Sequence, residues 1–127
     1  MQVKHRKKFR IYMVENCIFC KIVRKEIPAK IVYEDDDIMA FYDINPQAPI
    51  HVLVIPKKHI SSLAEVQDED LQLLGKLLLG ASKVAKKLGI SEDGYRVVIN
   101  TNRDAQQTVF HIHVHVIGGR PMSWPPG

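Results

Sequence analysis

The sequence predicts an α+β fold with an antiparallel sheet, one long helix and one short N-terminal helix. The chain has 127 residues, of which 46% are hydrophobic and 25% are charged, as in a single globular domain. Runs typical of strands precede and follow one strongly amphipathic helix, whereas a parallel sheet would alternate strands with helices. The composition excludes disordered and collagen-like chains, and no run approaches the roughly 20 apolar residues of a membrane span.

The excess of positive over negative charge lies in the N-terminal segment of the chain. The net charge is +4, yet residues 1–12 contain five of the 18 Lys and Arg residues and no acid. The remainder has 13 basic and 14 acidic residues. We therefore expect a flexible basic leader over residues 1–12, a single domain over residues 13–127, and neither a nucleic-acid nor a membrane partner. Since no apolar secretory signal is visible, we expect a cytoplasmic protein.

The first half of the chain predicts a short helix and three strands. A short helix or turn around Cys17–Lys25 should end at Ile27-Pro28, because a residue before proline avoids the helical conformation. Two runs rich in β-branched and aromatic residues, Ile31–Glu34 and Ile38–Tyr42, flank three acidic residues and indicate a hairpin. A proline-containing loop then leads to a strand over His51–Pro56.

The longest predicted element is a helix over Asp68–Leu88. Asp68 can cap its start and Gly89 can end it. Residues at intervals of three and four form its apolar stripe: Leu71, Leu74, Leu78, Ala81, Ala85 and Leu88. Leu77 and Val84 widen this stripe, which favours contact with more than one neighbour.

Two further strands are predicted over Tyr95–Asn100 and Val109–Ile117. Because a strand alternates its faces, His111, His113 and His115 should project to one side, with Cα atoms about 6–7 Å apart. Three buried imidazoles without a task would lower stability. The residues alone leave two tasks open, which are metal binding and nucleophilic attack on phosphorus.

The cysteine pair Cys17 and Cys20 forms a C-x-x-C motif. We expect no disulfide in an intracellular chain, and a thioredoxin-like role would need a βαβ unit that the sequence lacks. A metal site would need two further ligands. By itself the motif leaves two buried free thiols as the alternative.

The segment from His111 to Ile117, HIHVHVI, resembles the signature of the histidine triad (HIT) superfamily. The likeness extends from Cys17 to Gly127, and the blocks DINPQAPIHVLVIPKKH and WPPG are typical of its histidine triad nucleotide-binding (Hint) branch. The resemblance implies a HIT-like fold, a homodimer that extends the sheet, and a purine nucleoside phosphoramidase. Such enzymes hydrolyse adenosine 5′-phosphoramidates to AMP and an amine.

The resemblance also implies roles for individual catalytic residues. His113 would be the nucleophile and would form a nucleotidyl-phosphohistidine, and His115 would bind the phosphate oxygens. His51 would support His113, and Thr108 would contact the phosphate or the leaving group. An adenylyl phosphate carries less negative charge than a terminal phosphate, so imidazole and backbone N–H donors should suffice and no Mg²⁺ requirement is expected. The chain has no P-loop motif, which fits another mode of phosphate binding.

The nucleotide site implied by the resemblance draws on several segments. Asp43 would bind both ribose hydroxyls, for which a carboxylate is a suitable double acceptor. The complete implied set is Phe19, Ile22, Phe41, Asp43, Ile44, Asn100, Gln107, Thr108, Val109, His113 and His115. The chain departs from the family at Gln106, where a glycine is usual, so the loop could be crowded or take another path.

A structural zinc ion is the cofactor that the resemblance implies. Its ligands would be Cys17, Cys20, His59 and His111, a standard tetrahedral set. The C-terminal tail would place Trp124 near the active site of the partner protomer. Two alternatives stay open, which are a dinucleoside polyphosphate hydrolase and a non-catalytic, zinc-containing purine-nucleotide binding protein.

Overall fold

An antiparallel five-stranded sheet forms the centre of the computed structural model, which describes residues 14–127. The predicted leader, residues 1–12, lies outside the described residues. The strands are β1 (Ile31–Glu34), β2 (Ile38–Tyr42), β3 (Ile50–Pro56), β4 (Tyr95–Val98) and β5 (Val114–Gly118). Their order across the sheet is β1-β2-β3-β5-β4, and every neighbouring pair is antiparallel. The predicted α+β class is confirmed.

Each face of the sheet is covered by a helix. The long helix α2 (Leu71–Lys87) packs on one face, and the short helix α1 (Ile18–Val23) packs on the other. Strand residues divide between two apolar clusters according to the face on which they lie. The α2 side includes Ile38, Ala40, Val52, Val54, Val114 and Val116, and the α1 side includes Met39, Phe41, Leu53 and Ile55. Burial on both faces explains why β2 and β3 are continuous apolar runs.

The ends of α2 confirm one predicted cap and correct the other. Gly89 adopts φ +76°, and its N–H donates to Lys86 O at 3.2 Å, so glycine ends the helix as predicted. Asp68 does not cap the helix, because it lies in a separate 3-10 turn that precedes Leu71. The N-cap residue of α2 is Asp70, but its side chain caps the preceding 3-10 turn, where it accepts from the Gln67 N–H at 2.8 Å.

The predicted apolar stripe of α2 is partly wrong. Leu71 and Leu78 are 75% and 53% exposed, whereas the buried residues are Leu77, Gly80, Ala81, Val84 and Ala85. A run of leucines permits more than one apolar face. The sheet contacts the face that carries glycine and alanine, because small residues let the helix approach closely.

Other predicted boundaries also differ from the structure, and strand β3 begins at Ile50 rather than at His51. Helix α1 ends at Val23 rather than at Ile27-Pro28, because Lys25 adopts φ +65° and the Glu26 N–H donates to Lys21 O. Strand β4 ends at Val98 rather than at Asn100. Strand β5 begins at Val114 rather than at Val109, because the Ile112 N–H donates to Ile60 O at 2.7 Å, outside the sheet. No helix within residues 14–127 is both long and apolar enough to cross a membrane.

Candidate active site

Three histidines come together on the face of the sheet that α1 covers. His51 lies in β3 and His115 in the neighbouring strand β5, where His115 is paired with Leu53. His113 precedes β5, and its ring centroid lies 5.0 Å from that of His115. The ring of His51 lies 5.2 Å from that of His115 on the other side. The alternation predicted for the triad therefore holds, although only His115 belongs to the strand.

Hydrogen bonds fix the proton positions of His51 and His115. The Gln47 N–H donates to His51 Nδ1 at 3.0 Å, so a neutral His51 must carry its proton on Nε2. His51 Nε2 lies 2.9 Å from His115 Nδ1 and donates to it. His115 therefore carries its own proton on Nε2. Within residues 14–127, this nitrogen is the one buried side-chain polar atom that has no hydrogen-bond partner.

His113 presents a lone pair rather than a proton. Its Nδ1 donates to the main-chain oxygen of His111 at 2.8 Å, which leaves Nε2 unprotonated in the neutral ring. Burial lowers the pKa of His113, and burial together with the neighbouring His113 and His51 rings lowers the pKa of His115 to about 4. Burial also lowers the pKa of His51. The three rings are therefore neutral at pH 7.

Asp43 lies directly after β2, beside the pair formed by His51 and His115. Its Oδ2 is 3.4 Å from His51 Nε2, and its Oδ1 accepts from the Asn45 N–H at 2.8 Å. Asp43, His51 and His115 could in principle bind a metal, since their ligand atoms lie within 4.8 Å of one another. A metal on His51 Nε2 would however force the proton onto Nδ1, against the Gln47 N–H. The arrangement therefore favours a chain of hydrogen bonds over a metal site here.

An apolar cluster adjoins His113 and includes most of the predicted nucleoside residues. Phe19, Ile22, Phe41 and Val109 belong to the α1-side cluster. The ring of Phe19 packs edge-on against His113 at 5.2 Å and against Phe41 at 5.6 Å. Ile44 differs from them, because its side chain is fully exposed.

The loop before β5 is held by the side chain of Gln107, which is buried. Its Oε1 accepts from the Asn102 N–H at 2.8 Å, and its Nε2 donates to Ser61 O and Val109 O. The amide of Gln107 is thus engaged within the loop. The remaining predicted loop residues are more accessible: Thr108 is exposed and Asn100 is half-buried.

Gln106 has the backbone conformation that glycine favours. Its φ and ψ are 61° and 40°, in the left-handed region. The altered path expected from the missing glycine is therefore not needed, because glutamine adopts this conformation itself. The strain amounts to about 1 kcal/mol for a non-glycine residue.

A second cluster, formed by Cys17, Cys20, His59 and His111, has the geometry of a tetrahedral metal site. His111 Nδ1 lies 3.4 Å from Cys17 Sγ, 3.6 Å from Cys20 Sγ and 3.2 Å from His59 Nδ1. His59 Nδ1 lies 3.4 Å from Cys20 Sγ. Around a tetrahedral zinc ion, two nitrogen ligands lie about 3.3 Å apart, a nitrogen and a sulfur about 3.6 Å and two sulfurs about 3.8 Å, given the usual Zn–N and Zn–S bond lengths. The four predicted residues therefore fit the ion.

The groups around this cluster also suit a cation. His111 Nε2 donates to Pro56 O at 2.8 Å, which leaves its Nδ1 free as a ligand. The Val14 N–H donates to Cys20 Sγ and the Cys20 N–H donates to Cys17 Sγ, both at 3.3 Å. Burial raises the pKa of the Cys20 thiol to about 11, so a nearby cation is needed to hold the thiolate.

The sequence did not point to two residues that shape the site. Gln47 acts through its main-chain N–H, which leaves no mark in a sequence. Leu53 is buried beside the apolar cluster. The spacing could have indicated it, because Leu53 is two residues from His51 and so lies on the same face of β3.

Comparisons with known proteins agree with the fold and identify a family. The HIT domain family model matches residues 24–122. The chain is 52% identical to the Escherichia coli protein named purine nucleoside phosphoramidase, over 87% of this chain and 92% of that protein. It is 54% identical to the 14 kDa zinc-binding protein of Zea mays, over 87% of each chain.

Solved structures give the same result. A HIT family hydrolase from Legionella pneumophila matches with a TM-score of 0.87 and 55% identity, over 88% of this chain and all of that one. The sequence signature, the arrangement of the histidines and these similarities converge: this chain belongs to the HIT domain family.

Proposed function

We propose that this protein hydrolyses purine nucleoside 5′-phosphoramidates to the nucleoside 5′-monophosphate and an amine, with adenosine 5′-phosphoramidates giving AMP. The observation that carries the proposal is the pairing of an unprotonated His113 Nε2 with a buried, unpartnered N–H on His115. One is a nucleophile, and the other is a donor for a phosphate oxygen. The similarity to a protein named purine nucleoside phosphoramidase supports the choice of substrate.

The first step forms a bond between His113 Nε2 and the phosphorus while the P–N bond breaks. The phosphoramidate nitrogen takes a proton from solvent water and leaves as a neutral amine, because an unprotonated amide anion is a poor leaving group. His115 Nε2–H stabilises the negative charge that develops on the phosphate oxygen. The product of this step is a nucleotidyl-phosphohistidine.

The second step is hydrolysis of this intermediate. A water molecule attacks the phosphorus and gives up a proton to solvent, the bond to His113 Nε2 breaks, and the ring returns to its neutral form as AMP departs. Imidazole is both a good nucleophile and a good leaving group near neutral pH, so two modest barriers replace one large barrier. The chain Gln47–His51–His115 keeps the His115 proton on the nitrogen that faces the substrate.

The nucleoside would lie in the apolar cluster around Phe19 and Phe41. Its purine would pack against these rings, and Asp43 would accept hydrogen bonds from the ribose hydroxyls. The exposed Thr108 lies on the loop just before the triad, where a hydroxyl can contact the phosphate or the amine.

The test is the His113→Ala variant compared with wild type and with Arg103→Ala, an exposed residue that pairs with Asp104. We expect wild type to cleave an adenosine 5′-phosphoramidate and His113→Ala to lose turnover by about 10⁴-fold or more, as when other nucleophiles are removed. Arg103→Ala should retain activity. Rapid quenching should trap wild type carrying one added AMP.

Other substrates separate the alternatives. Faster cleavage of diadenosine triphosphate than of the phosphoramidate would favour a dinucleoside polyphosphate hydrolase. AMP binding without turnover of either substrate would favour a nucleotide-binding protein.

The Cys/His cluster provides the basis for a second part of the proposal, a structural zinc ion. Cys17, Cys20, His59 and His111 would hold it and so join α1 to the triad segment. The name of the Zea mays relative supports the choice of metal. Since neither Cys17 nor Cys20 forms a disulfide, we also propose a reducing compartment, the cytoplasm, as the place of action.

A homodimer that extends the sheet is the third part. Strand β4 is at the edge of the sheet, and the side chain of its Val97 is 38% exposed. Trp124 is 82% exposed and lies beside Arg96 of the same strand, so an added partner strand would bring the tail near the second copy. Val97→Asp should yield monomers by sedimentation. Ile31→Asp on the opposite edge strand should leave the mass unchanged.

A further inference from the structure

The segment that follows β5 is bonded to the loop that leads into β3. Arg120 Nη2 donates to the main-chain oxygen of Gln47 at 2.9 Å, and Nη1 donates to Pro121 O at 3.0 Å. Gly119 adopts φ +94°, and a Cβ atom there would lie 2.9 Å from Pro49 Cβ. The turn after β5 therefore fits against this loop without space for a side chain.

The residue that Arg120 contacts is the one that sets the proton position of His51. The Gln47 N–H donates to His51 Nδ1, and the Gln47 oxygen accepts from Arg120. These two bonds hold the peptide groups on both sides of the Gln47 Cα. Pro46 and Pro49 have no N–H, so neither proline can replace the donor if Gln47 turns away.

We propose that Arg120 is a positioning residue for the histidine pair. Its guanidinium orients Gln47, Gln47 holds His51 as the Nε2–H tautomer, and His51 in turn leaves the His115 proton on the nitrogen that faces the substrate. If Gln47 turned away, His51 could carry its proton on Nδ1, and the His51–His115 hydrogen bond would then require His115 to donate from Nδ1, which removes the proton from His115 Nε2. The catalytic consequence rests on the proposed function, whereas the tautomer of His51 does not.

A second arginine provides a matched control. Arg96 Nη2 donates to Ser123 O at 2.9 Å, and its guanidinium lies 5.9 Å from the Trp124 ring. Both arginines thus hold the C-terminal segment, but only Arg120 touches Gln47. Arg96→Met removes an anchor of the tail, whereas Arg120→Met removes an anchor of the tail and the contact with Gln47.

The experiment compares both variants with wild type in the full-length protein by ¹⁵N-edited spectra of the histidine rings at neutral pH. Wild type and Arg96→Met should show His51 as the single Nε2–H tautomer, and Arg120→Met should show both tautomers. The hydrogen-exchange rate of the main-chain N–H of Gln47 should rise about tenfold in Arg120→Met, as expected for loss of one hydrogen bond to a charged group. A single tautomer in Arg120→Met, or equal loosening in both variants, would overturn the proposal.

Turnover separates this proposal from the proposed function. We expect kcat for the phosphoramidate to fall about tenfold in Arg120→Met, because the same hydrogen bond is lost. The value of KM should change less than about twofold. If wild type cleaves no phosphoramidate but Arg120→Met mixes the His51 tautomers, the proposed function fails and the positioning role stands. If wild type cleaves it and the spectrum of His51 does not respond, the positioning role fails and the function stands.

Discussion

At the scale of single residues, burial determines what the histidines can do. A solvated imidazole near pH 7 exchanges between charged and neutral forms, whereas a nucleophile must keep its lone pair. Burial lowers the pKa of His113 and His51, and that of His115 falls to about 4. The Asp43 carboxylate acts in the opposite direction on all three rings but is outweighed. The site is thus prepared for attack without first losing a proton.

This argument predicts the pH dependence of the reaction. We expect kcat/KM to stay level as pH falls through 6.5, the ordinary value for histidine, and to decline about tenfold per pH unit only below the lowered pKa of His113. The measurement is kcat/KM for the phosphoramidate between pH 4 and pH 8. A midpoint at or above 6.5 would contradict a buried, neutral nucleophile.

The same shifts predict how stability depends on pH. Because the folded-state pKa values lie below 6.5, the unfolded chain binds more protons than the folded chain between pH 6.5 and about 4, the pKa of His115. The free energy of unfolding should therefore have its full value above pH 6.5 and should decrease as the pH is lowered from 6.5 to about 4. Urea titrations at pH 7 and pH 5 check the sign, and equal stability would contradict it.

Gln106 offers a residue-scale test of backbone strain. With φ at 61°, glycine should fit at least as well as glutamine, so Gln106→Gly should change the free energy of unfolding by less than about 1 kcal/mol in either direction. Gln106→Val should destabilise by about 1–2 kcal/mol, because a β-branched side chain is poorly tolerated in the left-handed region. Denaturant unfolding measures both. Ala105→Val, next to it in an ordinary turn conformation, is the control and should cost less than half as much.

At the scale of elements, the sequence predicts what depends on local pattern. Strands β1 and β2 match their predicted bounds, since each is a short β-rich run between turn signals. The start of β5 was missed because the apolar alternation continues through His113, while hydrogen bonding to the neighbouring strand begins only at Val114. The prediction that the triad histidines share one face was right, because side chains alternate along an extended backbone whether or not it pairs with another strand.

The face of α2 shows what local pattern does not determine. Leu77, Leu78 and Leu79 are consecutive, and only packing against the sheet selects Leu77 for burial. The proton positions in the site likewise depend on contacts between distant segments, such as that between Gln47 and His51. Residue types predict the chemistry of such a site, whereas tertiary contacts determine which nitrogen performs it.

Two glycines of α2 give a matched test of this packing. A Cβ at Gly80 would collide with the buried Ile38 side chain, whereas nothing lies within 4 Å of a Cβ at Gly75. Gly80→Ala should lower the free energy of unfolding by about 1–3 kcal/mol through overpacking. Gly75→Ala should raise it by up to about 1 kcal/mol, because alanine favours the helix. Thermal unfolding of both variants decides, and stabilisation by Gly80→Ala would contradict the packing described.

At the scale of the whole molecule, the Cys/His cluster and the active site share residues. The ring of His111 belongs to the cluster, while its main-chain oxygen accepts the His113 Nδ1 proton. Phe19 lies between the two cysteines in the sequence and packs against both His111 and His113, at 5.8 Å and 5.2 Å between ring centroids. A metal in the cluster would therefore fix the position of His113, the proposed nucleophile, without itself lying in the proposed substrate site.

Metal removal tests this coupling in the reduced, full-length protein. We expect about one zinc ion per chain by mass spectrometry, and chelation should lower the free energy of unfolding by about 2.7 kcal/mol for a metal held at 100 times its dissociation constant. Loss of the metal should also broaden the His113 ring signals and weaken AMP binding, because Phe19 and the His111 oxygen lose their anchor. Added zinc should restore both properties in wild type but not in Cys20→Ser, since the serine hydroxyl is a poor zinc ligand. An unchanged His113 signal in a chelated protein that has lost stability would separate the two sites, because the cluster would then hold α1 to the sheet without positioning the nucleophile.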